Sequence, residues 1–263
     1  MAERGASSSI LAAERVGLEL RFQTQARRIL EDISFEVAHG EIFTIVGASG
    51  TGKTTLLRIL GGLQRATSGT VRFRGEPVAA PPEGVVVVFQ DYSHALLQWR
   101  SVARNVALGL EGRIDAAAQA ARVHEALQMV GLEPNAEQYP WQLSGGMQQR
   151  VQIARALALR PEAMLMDEPF GALDAMTKAA LQDEVLRLHA RTGTSFVFIT
   201  HDIDEAVYLG DRIAVLGGSP GRLHRIIDVP LPRPRDQIET RQRPDFLHCR
   251  LDVHDAILAA GKG

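Results

Sequence analysis

Between the apolar run Ile42-Phe43-Thr44-Ile45-Val46 and the stretch Leu56-Leu57-Arg58-Ile59-Leu60 the chain carries Gly47-Ala48-Ser49-Gly50-Thr51-Gly52-Lys53-Thr54-Thr55. This fits the pattern G-x-x-x-x-G-K-[ST]. A strand, a glycine loop and a helix in that order predict an α/β fold with the loop at the end of a sheet strand. Gly47, Gly50 and Gly52 let the backbone turn tightly and approach a ligand, so that several N–H groups can point at phosphate oxygens. Lys53 adds a compact positive charge, and the helix beginning near Gly52 adds its N-terminal dipole. Thr54 is placed to offer its hydroxyl to Mg²⁺. A nucleotide phosphate is therefore the expected ligand of residues 47–55.

With 263 residues, 45% of them apolar and 23% charged, the chain can bury a sizeable core. Its 29 basic and 31 acidic residues give a formal charge of −2, which supplies no global attraction to nucleic acid or anionic lipid. The one cysteine, Cys249, excludes a disulfide within the chain and a cysteine zinc cluster. No window approaches the roughly 18 uninterrupted apolar residues of a membrane span. Residues 1–14 open small and polar and are expected to form a loose tail.

Leu18 and Leu20 alternate with polar neighbours, as does Ile33-Ser34-Phe35-Glu36-Val37, which predicts strands of a half-exposed sheet; Thr70 to Phe73 predicts another. Val85 to Phe89 is apolar without alternation, as a strand covered on both faces should be. From Asp91 to Leu159 the signals are helical. The clearest is Asp115 to Val130, with Val123, Leu127 and Val130 on one face and Gly131 as the stop. Parallel-strand signals return at Ala163 to Met166, Ser195 to Ile199 and Ile213 to Leu216, with a long helix from about Ala175 to Ala190. Prolines hold Asp228 to Arg235 extended, and Phe246 to Ala260 reads as an amphipathic helix with Leu247, Leu251 and Leu258 on its apolar face. The expected organisation is an α/β domain over 15–227, a helical subdomain inserted at about 91–159, and an extended-plus-helix tail over 228–263.

Two carboxylates, Asp167 and Glu168, directly follow the apolar run Ala163 to Met166, where α/β sheets bind ligands. Asp167 suits Mg²⁺, and Glu168 suits orienting a water for attack on a γ-phosphate. Pro169 leaves open a plain turn at this point. Leu143-Ser144-Gly145-Gly146-Met147-Gln148-Gln149-Arg150 places a hydroxyl and two glycine N–H groups at a helix start, which reads either as a second anion site or as an ordinary Ser144 cap.

Six motifs then stand in order: Gly47 to Thr54, Gln90 after a strand, Leu143 to Arg150, Asp167-Glu168, Gly171-Ala172-Leu173-Asp174, and Thr200-His201-Asp202. The set resembles that of an ABC-type ATPase, a P-loop NTPase, over about residues 15–230: P-loop, Q-loop, signature, Walker B, D-loop and switch histidine. The resemblance implies that Phe22 stacks on adenine and that Gln90 touches Mg²⁺ or the attacking water. It implies that Ser144, Gly145, Gly146 and Asp174 act across a homodimer interface on ATP held by the other subunit, while His201 contacts the γ-phosphate from its own. ATP and Mg²⁺ are the implied cofactors.

Leu96-Leu97-Gln98-Trp99, Asn105 to Leu110 and Leu231-Pro232-Arg233-Pro234-Arg235-Asp236 look like the nitrate, sulfonate, taurine and bicarbonate importer branch, with Leu97-Gln98-Trp99 standing where that branch usually has Leu-Pro-Trp. An importer subunit would lie at the cytoplasmic face of the inner membrane, bind permease subunits through a groove formed by 91–110, and meet a solute-binding protein indirectly. A lipid-trafficking or export cassette shares the catalytic motifs. A soluble DNA-repair or translation ATPase fits less well, because no heptads separate Gly47 from Ser144, zinc cysteines are lacking and the sequence holds one cassette. No nucleic-acid partner is expected.

Overall fold

The alternating and the continuous apolar runs segregate into two sheets. The computed structural model describes residues 9–22, 25–90, 95–171 and 173–261. Strands β1 (Ser9–Phe22) and β2 (Gln25–Ala38) pair antiparallel; β4 (Ser68–Phe73) lies on the other edge of β1 and β5 (Glu76–Pro77) beyond it, in the order β2-β1-β4-β5. The second sheet has six strands in the order β10-β9-β3-β8-β7-β6. It comprises β3 (Ile42–Gly47), β6 (Val85–Val88), β7 (Ala163–Asp167), β8 (Ser195–Ile199), β9 (Arg212–Gly217) and β10 (Arg222–Asp228), all parallel except β10 against β9.

Helix α1 (Lys53–Leu60) and the inward residues of the antiparallel sheet, among them Leu30, Ile33 and Phe35, share one apolar cluster with Phe43, Ile45, Leu165 and Val197. The opposite face of the large sheet, with Met164, Met166, Phe196 and Phe198, packs on α5 (Ala175–Thr192), α6 (Ile203–Leu209) and the helical insert. Alternation in β3, β7 and β8 thus feeds two cores, one on each side of the sheet.

Two strands differ from expectation. The segment 1–14 is not a loose tail throughout, because β1 begins at Ser9 and Ile10 and Leu11 are buried. Leu11 sits between Val37 of β2 and Phe73 of β4, so this stretch is a central strand whose small, non-alternating residues carry no one-sided pattern. Conversely β6 lies at the sheet edge with β7 as its neighbour, and Val85, Val86 and Val87 are half-buried rather than covered on both faces.

Within 95–159 the described elements are α2 (Val102–Ala107), α3 (Ala116–Met129), α4 (Gly145–Leu157) and two short 3₁₀ turns. The Asp115 carboxylate accepts from Ala118 N at the start of α3, and Gly131 follows it at φ 67°. Buried Asn105 accepts from Leu97 N and donates to Leu97, Arg100 and Ser101 carbonyls, fixing the 97–101 loop with Trp99 outward. Residues Asp91 to His94 of the expected insert lie outside the described residues.

In the tail, the extended stretch leads to α7 (Glu239–Gln242) and α8 (Pro244–Ala260). The face of α8 differs from the expected one. Phe246, Cys249, Val253, Ala256 and Ala260 are buried, while Leu247, Leu251 and Leu258 point outward. Close packing selects the small residues. A Cβ on Gly217 at the end of β9 would collide with the Ala260 Cβ, so α8 approaches that strand too closely for leucines.

Candidate functional site

The P-loop leaves the centre of the large sheet, since β3 pairs in parallel with both β8 and β9. At Gly47 a Cβ would run into the Leu216 carbonyl, so glycine is what lets the loop pass β9. Gly52, at φ 86°, precedes α1, and no side chain caps the helix. Its first helical bond is Leu56 N to Gly52 O at 2.8 Å, which leaves the N–H groups of Lys53, Thr54 and Thr55 without intrahelical acceptors. Ala48, Ser49 and Gly50 are exposed, and a Cβ on Gly50 would meet open space. Free first-turn donors, a helix dipole and room above the loop fit a phosphate.

Lys53 is buried, and its Nζ donates to Gly47 O and Ala48 O at 2.9 Å each. Burial lowers its pKa, opposed by the carboxylates of Glu168 and Asp167. Asp167 ends β7 beside Ile199 of β8 and is also buried. Desolvation pushes its carboxyl up, although the Thr54 hydroxyl donates to it. A raised carboxyl favours the neutral form in the folded chain. Its contribution to stability is therefore present at low pH and lost as pH rises through the folded pKa. Asp167→Asn, which keeps an acceptor for Thr54 without the charge, is accordingly expected to stabilise the nucleotide-free protein at neutral pH by roughly 0.5–2 kcal/mol. Melting curves in a chelator should show a higher Tm for the variant, with the gap closing below the ordinary carboxylate range; an equal or lower Tm at pH 7 contradicts the argument.

The next residue, Glu168, adopts φ 43°, a left-handed conformation unusual for any residue but glycine, while its N–H donates to Ile199 O at 2.9 Å. One of its oxygens, Oε2, accepts from Gln90 Nε2 at 3.2 Å and lies 3.2 Å from His201 Nδ1. Gln90 follows β6, Glu168 follows β7 and His201 follows β8, three adjacent parallel strands, and β3 with the P-loop comes next. Sheet order alone thus brings three sequence-distant residues and the P-loop to the same ends of four adjacent strands. A carboxylate with two polar neighbours beside a phosphate cradle can hold and deprotonate a water.

The structure does not gather every candidate there. Ser144 caps α4, its hydroxyl accepting from Met147 N at 3.4 Å, and Asp174 caps α5, accepting from Met176 N and Thr177 N at 3.1 Å each. These bonds, led by the Thr177 hydroxyl, hold the Asp174 carboxyl below its usual range. Gly146 abuts Thr177, where a Cβ would collide with the methyl group, so the two caps are neighbours. Among the described residues no hydrogen bond or ion pair joins them to the P-loop. Phe22 closes β1, with its side chain outside the described residues, as is Ala172 of the D-loop.

Sequence reasoning passed over a charged cluster beside His201. Lys178 Nζ lies 2.7 Å from Asp202 and 2.5 Å from Glu205, and the Thr200 hydroxyl donates to buried Glu205. Burial raises the Glu205 carboxyl, while Lys178 opposes the shift. No local spacing marks it, because the carboxylates that Lys178 meets come from beyond β8 while Lys178 itself lies on α5.

Residues 30–171 match the model of the family described as ABC transporter. An aliphatic sulfonates import ATP-binding protein of Xanthomonas axonopodis pv. citri is 48% identical over 219 residues, covering 82% of this chain and 85% of its own length. A nitrate import ATP-binding protein of Synechococcus elongatus is 40% identical over 230 residues, 86% of this chain and 83% of its own. Among solved structures, the dimeric post-hydrolysis state of an ATP-binding cassette bound to ADP and Pi superposes with a TM-score of 0.73 and 31% identity, covering 83% of this chain and 98% of that one.

Proposed function

Because the chain belongs to the ABC transporter family of ATP-binding proteins, an ABC ATPase by fold and sequence, we propose that it is the energy-coupling subunit of an importer for a small anion. The reading rests above all on the meeting of Gln90 and His201 at one oxygen of Glu168, next to the P-loop. The sulfonate and nitrate import names of its relatives support an anionic solute.

In this reading the N–H groups of residues 47–55 and the Lys53 ammonium hold the β- and γ-phosphates, and Phe22 stacks on adenine. Thr54, Asp167 and Gln90 would hold Mg²⁺. The hydroxyl already beside a buried carboxylate fits a hard cation, and the ion would supply charge neutralisation at the transferred phosphoryl group. Glu168 orients a water and takes its proton as the new P–O bond forms and the bond to ADP breaks. His201 contacts the γ-phosphate and senses its loss. Ser144, Gly145, Gly146 and Asp174 of a second copy complete the site, which the dimeric, ADP-bound relative supports.

The 91–110 segment, with Trp99 and Leu108 exposed, would receive a permease segment, and a solute-binding protein would feed that permease. No helix among the described residues is long and apolar enough to cross a membrane, so the proposed place is peripheral, on the cytoplasmic face of the inner membrane. The boundaries proposed for the functional units are the α/β core to 227 with its insert at 91–159, and the tail from 228.

The test is a pull-down of the Glu168→Gln variant, loaded with ATP, from detergent-solubilised membranes, with mass spectrometry of what accompanies it. One multi-span permease is expected at near-equal amounts. Ribosomes or nucleic acid without a membrane protein would move the chain to the soluble class.

A further inference from the structure

The motif Leu231-Pro232-Arg233-Pro234-Arg235-Asp236 has no part in the reaction as proposed, yet its second arginine is among the most enclosed charges of the chain. The Arg235 side chain has no exposed surface. Its Nη1 donates to Tyr208 O at 2.8 Å, Gly210 O at 2.9 Å and Val207 O at 3.4 Å; its Nη2 donates to Leu231 O at 3.4 Å and lies 3.6 Å from the Asp211 carboxylate. Tyr208 and Val207 belong to the last turn of α6, and Gly210 follows it. These are the carbonyls that a helix end leaves without partners, at the negative end of its dipole. Arg233 adds Leu209 O at 3.2 Å and Asp211 at 2.7 Å.

The other end of α6 is the switch segment. Asp202, adjacent to His201, caps the helix by accepting from Asp204 N and Glu205 N, and Lys178 of α5 grips Asp202 and Glu205. The tail also reaches α5 directly, where Gln237 Nε2 donates to Ala179 O at 3.1 Å and to Asp183 at 2.9 Å, and it touches α6 a second time through the Arg241 guanidinium, 5.0 Å over the Tyr208 ring. Helix α6 is two turns long, about 10 Å at 1.5 Å per residue, so a displacement at its C-terminal end is carried to His201.

We infer that Arg235 is a positioning residue for the switch histidine: the tail braces α6 from behind and thereby sets where His201 stands relative to Glu168. The site asks for a donor, since an apolar side chain would leave the Tyr208, Gly210 and Val207 carbonyls at the end of α6 without their guanidinium, whose Nε alone finds no partner among the described residues. Burial, aided by repulsion from Arg233, pushes the Arg235 pKa down to about 10, which still leaves it charged at neutral pH. The inference rests on the switch role proposed for His201.

The test is a double-mutant cycle in steady-state and single-turnover ATP hydrolysis by the full chain, using Arg235→Lys, His201→Ala and the pair. Arg235→Lys keeps the charge and loses the fork, and is expected to lower kcat by about 10-fold with KM for MgATP within about twofold, the split of a residue that acts after binding. In the His201→Ala background the same change is expected to have no further effect, because both remove one arrangement. Amide exchange of residues 204–210 should quicken while that of α1 stays. If Arg235→Lys does not melt cooperatively, Arg235→Gln enters the same cycle.

Wild-type kcat in the folded arginine variant, or losses that multiply in the pair, would overturn the proposal while leaving His201 as the switch. Wild-type turnover by His201→Ala alone would overturn the switch role itself, and the inference with it.

Discussion

Glu168→Gln is expected to hydrolyse ATP about 10²–10⁴-fold more slowly than wild type, the range for removing a positioned proton acceptor, while binding ATP at least as well. The substitution is nearly isosteric. The amide can still meet Gln90 and His201, whose side-chain nitrogens lie 3.2 Å from Glu168 Oε2, so the geometry survives and the negative charge and proton affinity do not. Binding should not suffer, because Glu168 is one of the charges that push the Asp167 carboxyl upward, and it is a carboxylate facing an anionic ligand. Retention of labelled ATP and phosphate release, measured on the same preparation, separate the two effects. Hydrolysis at the wild-type rate would remove Glu168 from the catalytic role.

The second large effect concerns concentration. Ser144 and Asp174 cap helices that lean on each other, and among the described residues of one chain no hydrogen bond or ion pair joins them to the P-loop. If they complete the ATP site of a partner, one copy by itself holds two half-sites and no whole one. The rate per subunit is then expected to fall at least about 10-fold on dilution from well above to well below the dimerisation range, following mass action. Light scattering and turnover of the wild type should change over the same concentrations, and the Glu168→Gln variant with ATP should stay dimeric by light scattering at lower concentrations than the wild type. A rate per subunit that stays constant through the monomeric range would contradict the composite site.

Much of the site was legible because its chemistry is local in sequence. The loop 47–55 needs glycines, a lysine and a hydroxyl within a few residues, and Asp167-Glu168 announces itself by following a buried strand. Its assembly was not local. Only the order β6-β7-β8-β3 explains why Gln90, Glu168 and His201 meet. The fold was hardest to read where burial depends on a neighbour. Ile10 to Ala13 lacks alternation because all four residues are buried, as when both faces of a strand are covered, and α8 turns its leucines outward because Gly217 admits only small residues against it. Lys178 reads as an ordinary basic residue until its acceptor 24 residues away is known, and the motif 231–236 marks Arg235 without saying that it binds carbonyls more than 20 residues away.

The backbone at Glu168 bears on how this protein would respond to directed evolution. A non-glycine residue at φ 43° is held against a preference of roughly 1–2 kcal/mol, and glycine or asparagine would relax it. Next to it, Asp167 is a buried carboxylate that is more comfortable neutral. A library sorted only for heat resistance should therefore enrich changes at positions 167 and 168, and on the roles proposed for them such winners would be robust cassettes that have stopped turning over.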